Sequence, residues 1–383
     1  MNASVSLEIS DYLNHGDHNL ALRRLLDYCL ETHQHTLIRE AITLSQKYRA
    51  LHEASQPNQA KELLHSQTLQ LLQQIDAALA GPPHQKTELV VCDQITKKYA
   101  HGNFSLSPVS LALSSGEILG VVGENGNGKT TLLRCLSGQL ALDGGSVAFP
   151  QILQADAYTV RGYVAFIPQR IPKWYGLLKD NLHFSASLSG LKESENELMV
   201  DFMIERLGLG PYAHLNWDRI SSGYRTRFEL ARILLFKPGL LILDEPLANL
   251  DINAQQTVLT DLRFLAKSAY HSLGVILSSQ QLHEVEKVAD RVLFIKNGAC
   301  QMHGPQEQSA SETVLEIESA AERDVLAGVL ESLSVKIQFN GGYYTLFCGQ
   351  NSAETILKQL INSNIPLKYY RDISHSTKRF FNN

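Results

Sequence analysis

The residues from 123 to 130 have the types and spacing of a phosphate-binding loop. Gly123-Glu124-Asn125-Gly126-Asn127-Gly128-Lys129-Thr130 satisfies the pattern GxxxxGK[ST] in full, between an apolar run and a segment with helical spacing. In such a loop, backbone N–H groups surround phosphate oxygens, and the following helix contributes the positive end of its dipole. Lys129 would reach the β- and γ-phosphates, and Thr130 would bind Mg²⁺. A glycine-rich turn without a ligand is the alternative.

Two consecutive acids follow a second apolar run. Leu240-Leu241-Ile242-Leu243-Asp244-Glu245 predicts a buried strand that delivers both carboxylates to the phosphate-binding loop. Asp244 would hold Mg²⁺ through water, and Glu245 would polarise the attacking water. Many strands end in an acid, so this pattern becomes specific only because a complete phosphate-binding loop precedes it.

From about Glu88 to Gly304 the chain resembles the ABC ATPases, because further motifs of that family follow in the family's order. The matching segments are Lys97-Lys98-Tyr99, Phe166-Ile167-Pro168-Gln169, Ile220-Ser221-Ser222-Gly223-Tyr224, Asn249-Leu250-Asp251 and Leu277-Ser278-Ser279-Gln280. The resemblance implies an ATPase with a RecA-like core and a helical subdomain, which works face to face with a second cassette.

The resemblance also implies a role for each matching position. Tyr99 would stack on adenine, with plain packing as the alternative. Ser221 and Gly223 would contact the γ-phosphate of the opposite subunit, or Ser221 would only cap a helix. The residues assigned to nucleotide binding are Tyr99, Gly123, Asn125, Gly126, Asn127, Gly128, Lys129, Thr130, Thr131, Ser221, Gly223 and Asp251. Those assigned to Mg²⁺ are Thr130, Gln169 and Asp244, and those assigned to hydrolysis are Glu245, Gln280 and Gln169.

The sequence departs from the family pattern in the signature segment and at the position of the switch histidine. Ser222 and Tyr224 replace the usual glycine and glutamine, although Ser221 and Gly223 are kept. Gln280 replaces the usual histidine, and its amide donates a hydrogen bond but cannot carry a positive charge. This change puts the rate of hydrolysis in question more than the binding of ATP.

Three units are predicted around these motifs. Residues 1–83 form an N-terminal all-α domain that ends at Gly81-Pro82-Pro83, and residues 88–304 form the α/β cassette. Residues 311–383 form a small C-terminal α+β domain whose βαββαβ pattern suggests a ferredoxin-like fold, with a hairpin turn at Asn340-Gly341. The apolar stripe of the N-terminal helices indicates core packing, with partner binding as the alternative. Trp174 and Tyr175 are either core residues or face a partner.

Composition limits the cellular setting. A net charge of −5 argues against general binding to nucleic acid or anionic membranes. The chain has no run of about 18–20 apolar residues for a membrane helix and no signal-peptide pattern, so we expect it in the cytosol. Five scattered cysteines indicate reduced, mostly buried thiols, and the histidines show no metal-ligand spacing.

The predicted function is ATP binding and hydrolysis as the ATP-binding subunit of a transporter with a separate membrane permease. The C-terminal region resembles the extension of bacterial exporter subunits, which implies export and a position on the cytoplasmic face of the inner membrane. One alternative is a soluble regulatory or mechanical ATPase acting on a protein or ribonucleoprotein complex. Another, motivated by Gln280, is an ATP-binding module with negligible turnover.

Overall fold

The central element of the computed structural model is a six-stranded sheet with strand order β5-β6-β7-β3-β8-β9. The structure describes residues 2–79, 86–100, 104–152, 156–248, 250–267, 273–303, 313–340 and 342–374. The strands are β3 Ile118–Val122, β5 Val164–Ile167, β6 Leu240–Leu243, β7 Gly274–Ser279, β8 Arg291–Lys296 and β9 Ala299–His303. The first five pair in parallel, and β9 is antiparallel to β8. Every residue of β3, β6 and β7 is buried, as expected for parallel strands covered on both faces.

A smaller antiparallel sheet and seven helices surround this core within the described part of the cassette. The sheet has the order β2-β1-β4 and consists of β1 Glu88–Lys98, β2 Ser105–Ser114 and β4 Gly144–Ala148. The helices are α5 Lys129–Leu136, α6 Ala157–Tyr163, α7 Leu178–Leu188, α8 Glu193–Arg206, α9 Ser222–Leu234, α10 Ile252–Ala266 and α11 Leu282–Val285. Helix α7 packs against α8 and α9, which forms a helical layer beside the sheet.

Trp174 belongs to the core of this helical layer. Its ring stacks on Trp217 with a centroid distance of 5.1 Å, and its Nε1 donates to Oε2 of Glu229 at 3.2 Å. Tyr175, the next residue, is exposed. Of the two alternatives, core packing therefore applies to Trp174, whereas Tyr175 faces outward and is open to a partner.

Four helices precede the cassette and share its largest apolar cluster. They are α1 Asn2–Asn14, α2 His18–Glu31, α3 His35–Glu53 and α4 Pro57–Ala78. Asp17 stands at the N-cap position of α2 without a side-chain capping bond, and Pro57 occupies the first turn of α4, where its missing N–H costs nothing. Helices α2 and α3 pack against α8, and α2 also contacts α10. The predicted apolar stripe of these helices therefore faces a core that they share with the cassette.

The C-terminal residues form a four-stranded antiparallel sheet with the order β11-β12-β10-β13. Its elements are β10 Val314–Ser319, α12 Arg323–Leu330, β11 Lys336–Asn340, β12 Tyr343–Phe347, α13 Ala353–Asn362 and β13 Leu367–Asp372. This order is the one expected when two right-handed crossovers interleave in a βαββαβ unit. The predicted turn residue Gly341, the predicted break at 81–83 and the predicted boundary between residues 304 and 311 lie outside the described residues. The three-domain division therefore remains a prediction.

The five cysteines are free thiols, four of them buried and Cys300 half-buried. Burial raises the pKa of Cys92 and Cys135 to about 11 and that of Cys300 to about 12. These thiols therefore stay protonated near neutral pH and do not act as nucleophiles there. Among the described helices, none combines the length and apolar character that crossing a bilayer requires.

Candidate active site

The phosphate-binding loop connects the end of β3 to the start of α5, the position that the sequence predicts. Two of its glycines are required by space. A Cβ on Gly123 would lie 2.3 Å from the backbone oxygen of Ile295, and one on Gly128, which has φ +108°, would lie 2.4 Å from the Phe104 ring. Asn127 anchors the loop, because its Oδ1 accepts from the backbone N–H of Asn297 at 3.0 Å. The loop is thus held against the β8–β9 turn before any ligand binds.

Lys129 is buried at the centre of this loop. Its Nζ donates to the backbone oxygens of Gly123 at 2.7 Å and Glu124 at 3.2 Å, and lies 3.0 Å from Oε1 of Glu245. A buried ammonium is costly unless it is paired and hydrogen-bonded, so these three oxygens hold it in place. The fixed ammonium places a positive charge in the loop, where an anionic ligand would bind.

Asp244 follows β6, and its carboxylate accepts hydrogen bonds from two hydroxyl groups. Thr130 Oγ1 donates to Oδ2 at 2.7 Å, and Ser278 Oγ donates to Oδ1 at 2.9 Å. Sequence reasoning placed Thr130 and Asp244 together but assigned no role to Ser278. The sequence does contain a signal for Ser278. It follows the apolar run of β7, just as Asp244 follows the apolar run of β6. Because the two strands are parallel neighbours, these residues lie at the same end of the sheet.

Glu245 lies in the middle of the predicted hydrolysis residues. Gln169 Nε2 donates to its Oε2 at 2.8 Å, and Gln280 Nε2 donates to the same oxygen at 2.9 Å. With Lys129 on Oε1, three donors surround this buried carboxylate. The structure therefore brings Gln169, Glu245 and Gln280 together, and the Gln169 amide is directed at Glu245.

The structure also shows which protein atoms could hold Mg²⁺. Within the described ranges, no three His, Cys, Asp or Glu side chains converge to hold a metal by themselves. Mg²⁺ at phosphate sites needs only one or two protein oxygens, since water and phosphate complete its shell. The hydroxyl of Thr130 and the carboxylate of Asp244, already in contact, fit that role. Metal binding by these two residues and by Gln169 remains a prediction.

Tyr99 lies beside the start of α5. Its Oη shares a 3.1 Å hydrogen bond with Oγ1 of Thr131, and its half-exposed ring lies 6.2 Å from that of Phe104. Phe104, which the sequence reasoning did not single out, also contacts the Gly128 position of the loop. The two rings form an aromatic wall next to the phosphate-binding loop, and the stacking of adenine on Tyr99 remains a prediction.

The signature segment lies at the start of α9. Ser221 occupies the N-cap position without a side-chain capping bond. Gly223 is buried, and a Cβ there would lie 3.2 Å from that of Ala254, so α9 and α10 approach closely. Asp251 caps α10 by accepting from the backbone N–H groups of Asn253 and Ala254, both at 3.0 Å. In the part of the chain that the structure describes, no hydrogen bond joins Ser221 or Asp251 to the phosphate-binding loop.

Tyr224, one of the two departures in this segment, has a packing role. Its ring lies 3.9 Å from that of Tyr212, and the guanidinium of Arg227 lies 5.5 Å from its centroid. Burial raises the pKa of Tyr224, and so do a hydrogen bond and an electrostatic interaction with the Tyr212 side chain. The aromatic side chain therefore packs against Tyr212 and the apolar core, at the position where the resemblance predicts glutamine. Asn249, from the Asn249-Leu250-Asp251 motif, lies outside the described residues.

Comparison with known proteins assigns the chain to a family. A family model described as ABC transporter matches residues 106–248. The uncharacterized ABC transporter ATP-binding protein YxlF of Bacillus subtilis (strain 168) is 31% identical over 241 residues, which cover 62% of this chain and 78% of that protein. The spermidine/putrescine import ATP-binding protein PotA of Protochlamydia amoebophila is 30% identical over 226 residues, 57% of this chain and 58% of that protein.

A solved structure supports the fold. The protein cbiO1 from Clostridium perfringens, part of the ABC transporter complex cbiONQ, superposes with a TM-score of 0.52 and 22% identity over 64% of this chain and 96% of that one. The predicted cassette fold and the predicted ATPase class are confirmed by these similarities. This chain belongs to the family of ABC transporter ATP-binding proteins, which are ATPases.

Proposed function

We propose that this chain binds Mg-ATP at the phosphate-binding loop and hydrolyses it while paired with a second cassette, and that this cycle drives a separate membrane permease. The arrangement around Glu245 carries the proposal. One carboxylate is held by Lys129, Gln169 and Gln280, within one residue of Asp244 and its partner Thr130. The proposed base, the buried ammonium of Lys129 and the proposed Mg²⁺ ligands therefore lie next to one another.

The chemistry follows from which contacts the nucleotide replaces. Lys129 exchanges the Glu245 carboxylate for the β- and γ-phosphates, because the polyanion is the stronger partner for the ammonium. Glu245 is then free to orient and polarise the attacking water, and the Gln280 amide is free to donate toward the γ-phosphate. Thr130 and Asp244 would hold Mg²⁺, which when bound would neutralise part of the charge of the phosphates.

The proposal of a second cassette rests on Ser221, Gly223 and Asp251. These residues lie at the adjoining starts of α9 and α10, and Ser221 makes no capping bond in its own chain. Residues of this type, unconnected to the chain's own phosphate-binding loop, suit a site that two copies complete together. Whether the partner is identical or homologous does not alter this geometry.

An exposed apolar stripe on α7 supports a membrane partner. Leu177 at the N-cap of α7, Phe184 and Leu188 are spaced by seven and four residues, and so share one face of the helix. Phe184 and Leu188 are 65% and 63% exposed, and Tyr175 lies exposed at the start of the stripe. Such a patch marks a surface that another protein covers. Gln169 precedes Leu177 by eight residues and donates to Glu245, so a permease bound to the stripe would lie close along the chain to a side chain that contacts Glu245.

The proposal also covers the direction of transport and the position of the chain at the membrane. We infer export because the C-terminal βαββαβ unit and the segment 365–374 resemble the extension of exporter subunits, whereas the relative PotA is named for import. A peripheral position on the cytoplasmic face of the inner membrane follows from pairing with a permease. Transport into or out of inverted vesicles that contain the permease distinguishes the two directions.

Glu245→Gln tests the hydrolytic assignment. The variant keeps the shape of the side chain but loses the charge that polarises water, so ATP should be bound and not cleaved, and a cassette dimer should accumulate. Light scattering with and without Mg-ATP measures the dimer, and phosphate release measures turnover. Glu354→Gln, at an exposed acid paired with Lys358 in α13, is the matched control. Wild-type turnover in Glu245→Gln would refute the base assignment, and an equally strong dimer without ATP would refute nucleotide-driven pairing.

A further inference from the structure

Ser278 connects the two acidic residues of the site through a single hydroxyl group. Its side chain is fully buried at 0% exposure near the end of β7. The Oγ atom donates to Oδ1 of Asp244 at 2.9 Å and accepts from the backbone N–H of Glu245 at 2.8 Å. One hydroxyl therefore fixes a side chain on one side and a backbone on the other.

The backbone of Glu245 needs such a contact. Its φ is +48°, in the left-handed region that residues other than glycine rarely adopt. Residues persist there only when their surroundings hold them, and such positions are common at functional sites. Ser278 accepts the buried N–H of Glu245 and so holds the backbone that sets the direction of the carboxylate.

The carboxylate of Asp244 needs the same contact for its orientation. Thr130 donates to one oxygen and Ser278 to the other, so the plane of the carboxylate is fixed from both sides. Thr130 belongs to α5 and Ser278 to β7, which means that the helix after the phosphate-binding loop and the sheet both define this plane. Removing Ser278 Oγ would leave Oδ1 of Asp244 without its hydroxyl donor in a buried place.

The adjacent residue, Ser279, makes its hydrogen bonds to α11 and the residues before it. Ser279 Oγ donates to Oε2 of Glu284 at 2.7 Å and accepts from the backbone N–H of Gln281 at 3.0 Å. Its hydroxyl is therefore directed toward α11 and away from the two acids. The contrast between neighbours shows that the contact to Asp244 and Glu245 depends on the position of Ser278 on the inner end of β7.

We propose that Ser278 is a positioning residue for ATP hydrolysis, which acts by setting both the Asp244 carboxylate and the backbone of Glu245. The inference rests on the proposed function of this site, since it assumes that Asp244 binds Mg²⁺ and that Glu245 polarises water. Ser278 itself touches neither nucleotide nor water in this role. Its removal should therefore affect the chemical step and the use of Mg²⁺ more than the binding of ATP.

Kinetics of Ser278→Ala and Ser278→Thr test the proposal. We expect Ser278→Ala to lower kcat by about ten- to a hundredfold, the effect of losing one hydrogen bond to a charged group. Its Kd for ATP without Mg²⁺ should stay within about twofold of wild type, because Lys129 and the loop are intact. The Mg²⁺ concentration for half-maximal activity should rise. Ser278→Thr keeps the hydroxyl and should recover most of kcat. If Ser278→Ala does not fold, Ser278→Cys, of similar volume and with a weak donor, replaces it with the same expectation.

A double-variant cycle separates positioning from general loss of stability. In a Glu245→Gln background, the effect of Ser278→Ala on the residual single-turnover rate should be smaller, because the part that acts through Glu245 is already lost and the part that acts through Asp244 remains. Ser45→Ala is the matched control, since the buried Ser45 Oγ donates to a carboxylate oxygen of Glu205 at 3.0 Å far from the site, and it should leave kcat unchanged.

The outcomes are distinguishable. A folded Ser278→Ala with kcat within twofold of wild type, or an equal loss in both backgrounds, would overturn the positioning role. Ser278→Thr as slow as Ser278→Ala while binding ATP normally would also overturn it. If Glu245→Gln turns over like wild type, the proposed function of the site fails instead, whatever Ser278→Ala does.

Discussion

Arg206 of α8 donates to both carboxylate oxygens of Asp27 of α2, from Nε at 2.8 Å and from Nη2 at 3.0 Å. Its Nη1 also donates to Asp261 of α10 at 2.9 Å, and all three side chains are buried. Burial alone would lower the pKa of Arg206, but Asp27 and Asp261 together raise it, so the guanidinium stays charged. The N-terminal helices are therefore joined to the cassette by a buried ionic network as well as by apolar packing.

Breaking this network should destabilise the protein. We expect Asp27→Ala to lower the free energy of unfolding by about 3–5 kcal/mol, because it leaves part of a buried guanidinium without its counter-charge. Urea unfolding followed by circular dichroism measures the change. Glu354→Ala, which removes one partner of an exposed pair in α13, is the control and should have little effect. Equal stabilities for the two variants would show that Asp27 does not secure the N-terminal helices.

Polar substitution on the α7 stripe should separate transport from hydrolysis. We expect Phe184→Ser combined with Leu188→Ser to leave the ATPase rate of the isolated chain unchanged and to abolish its stimulation by the permease. Ile361→Ser, at a similarly exposed apolar residue of α13, should preserve that stimulation. Co-purification with the membrane fraction gives a second readout. Normal stimulation of the double variant would mean that the partner covers another surface.

The sequence predicted the site wherever a local pattern carries its own context. The loop at 123–130 and the strand before Asp244 are of this kind, because their chemistry and their secondary structure lie within a few residues of each other. Ser278 and Phe104 were missed because their roles depend on which strand or helix lies beside them. The pairing of Arg206 with Asp27 was missed for the same reason, since 179 residues separate them along the chain. Gln169 was placed at the site, but its 2.8 Å contact with Glu245 required the fold.

Loss of the Lys129 ammonium should weaken nucleotide binding at the site and abolish turnover. Within the described structure, Lys129 supplies the positive charge buried against the loop oxygens of Gly123 and Glu124. We expect Lys129→Ala to weaken ATP binding by at least about tenfold, the loss of one charge-assisted contact, and to eliminate turnover. Calorimetric titration with ATP measures the affinity, and Lys267→Ala, at a lysine paired with Asp290, is the control. Unchanged affinity in Lys129→Ala would place the nucleotide elsewhere.

The position of Gln280 explains why it should limit the rate. Its Nε2 lies 2.9 Å from Oε2 of Glu245, so its side chain contacts the group that polarises the attacking water in the proposed mechanism. Charge accumulates on the γ-phosphoryl oxygens in the transition state, and a neutral amide stabilises that charge less than a charged donor does. We therefore expect slow basal hydrolysis together with ordinary ATP affinity.

Gln280→His should raise kcat by roughly tenfold without changing the Kd for ATP, because the imidazole reaches the same oxygens and can carry a charge. It should also introduce a pH dependence of kcat near the ordinary histidine pKa of about 6.5, with the charged form favoured on the acidic side. Gln281→His, which adds the same group at the exposed neighbouring residue, is the matched control.

Steady-state ATPase activity of wild type and both variants, each alone and with the membrane partner, measures the effect. A permease that supplies the missing stabilisation would make the wild-type complex fast and the isolated chain slow. An isolated wild type that is already fast, with a histidine variant no faster, would show that position 280 does not limit hydrolysis.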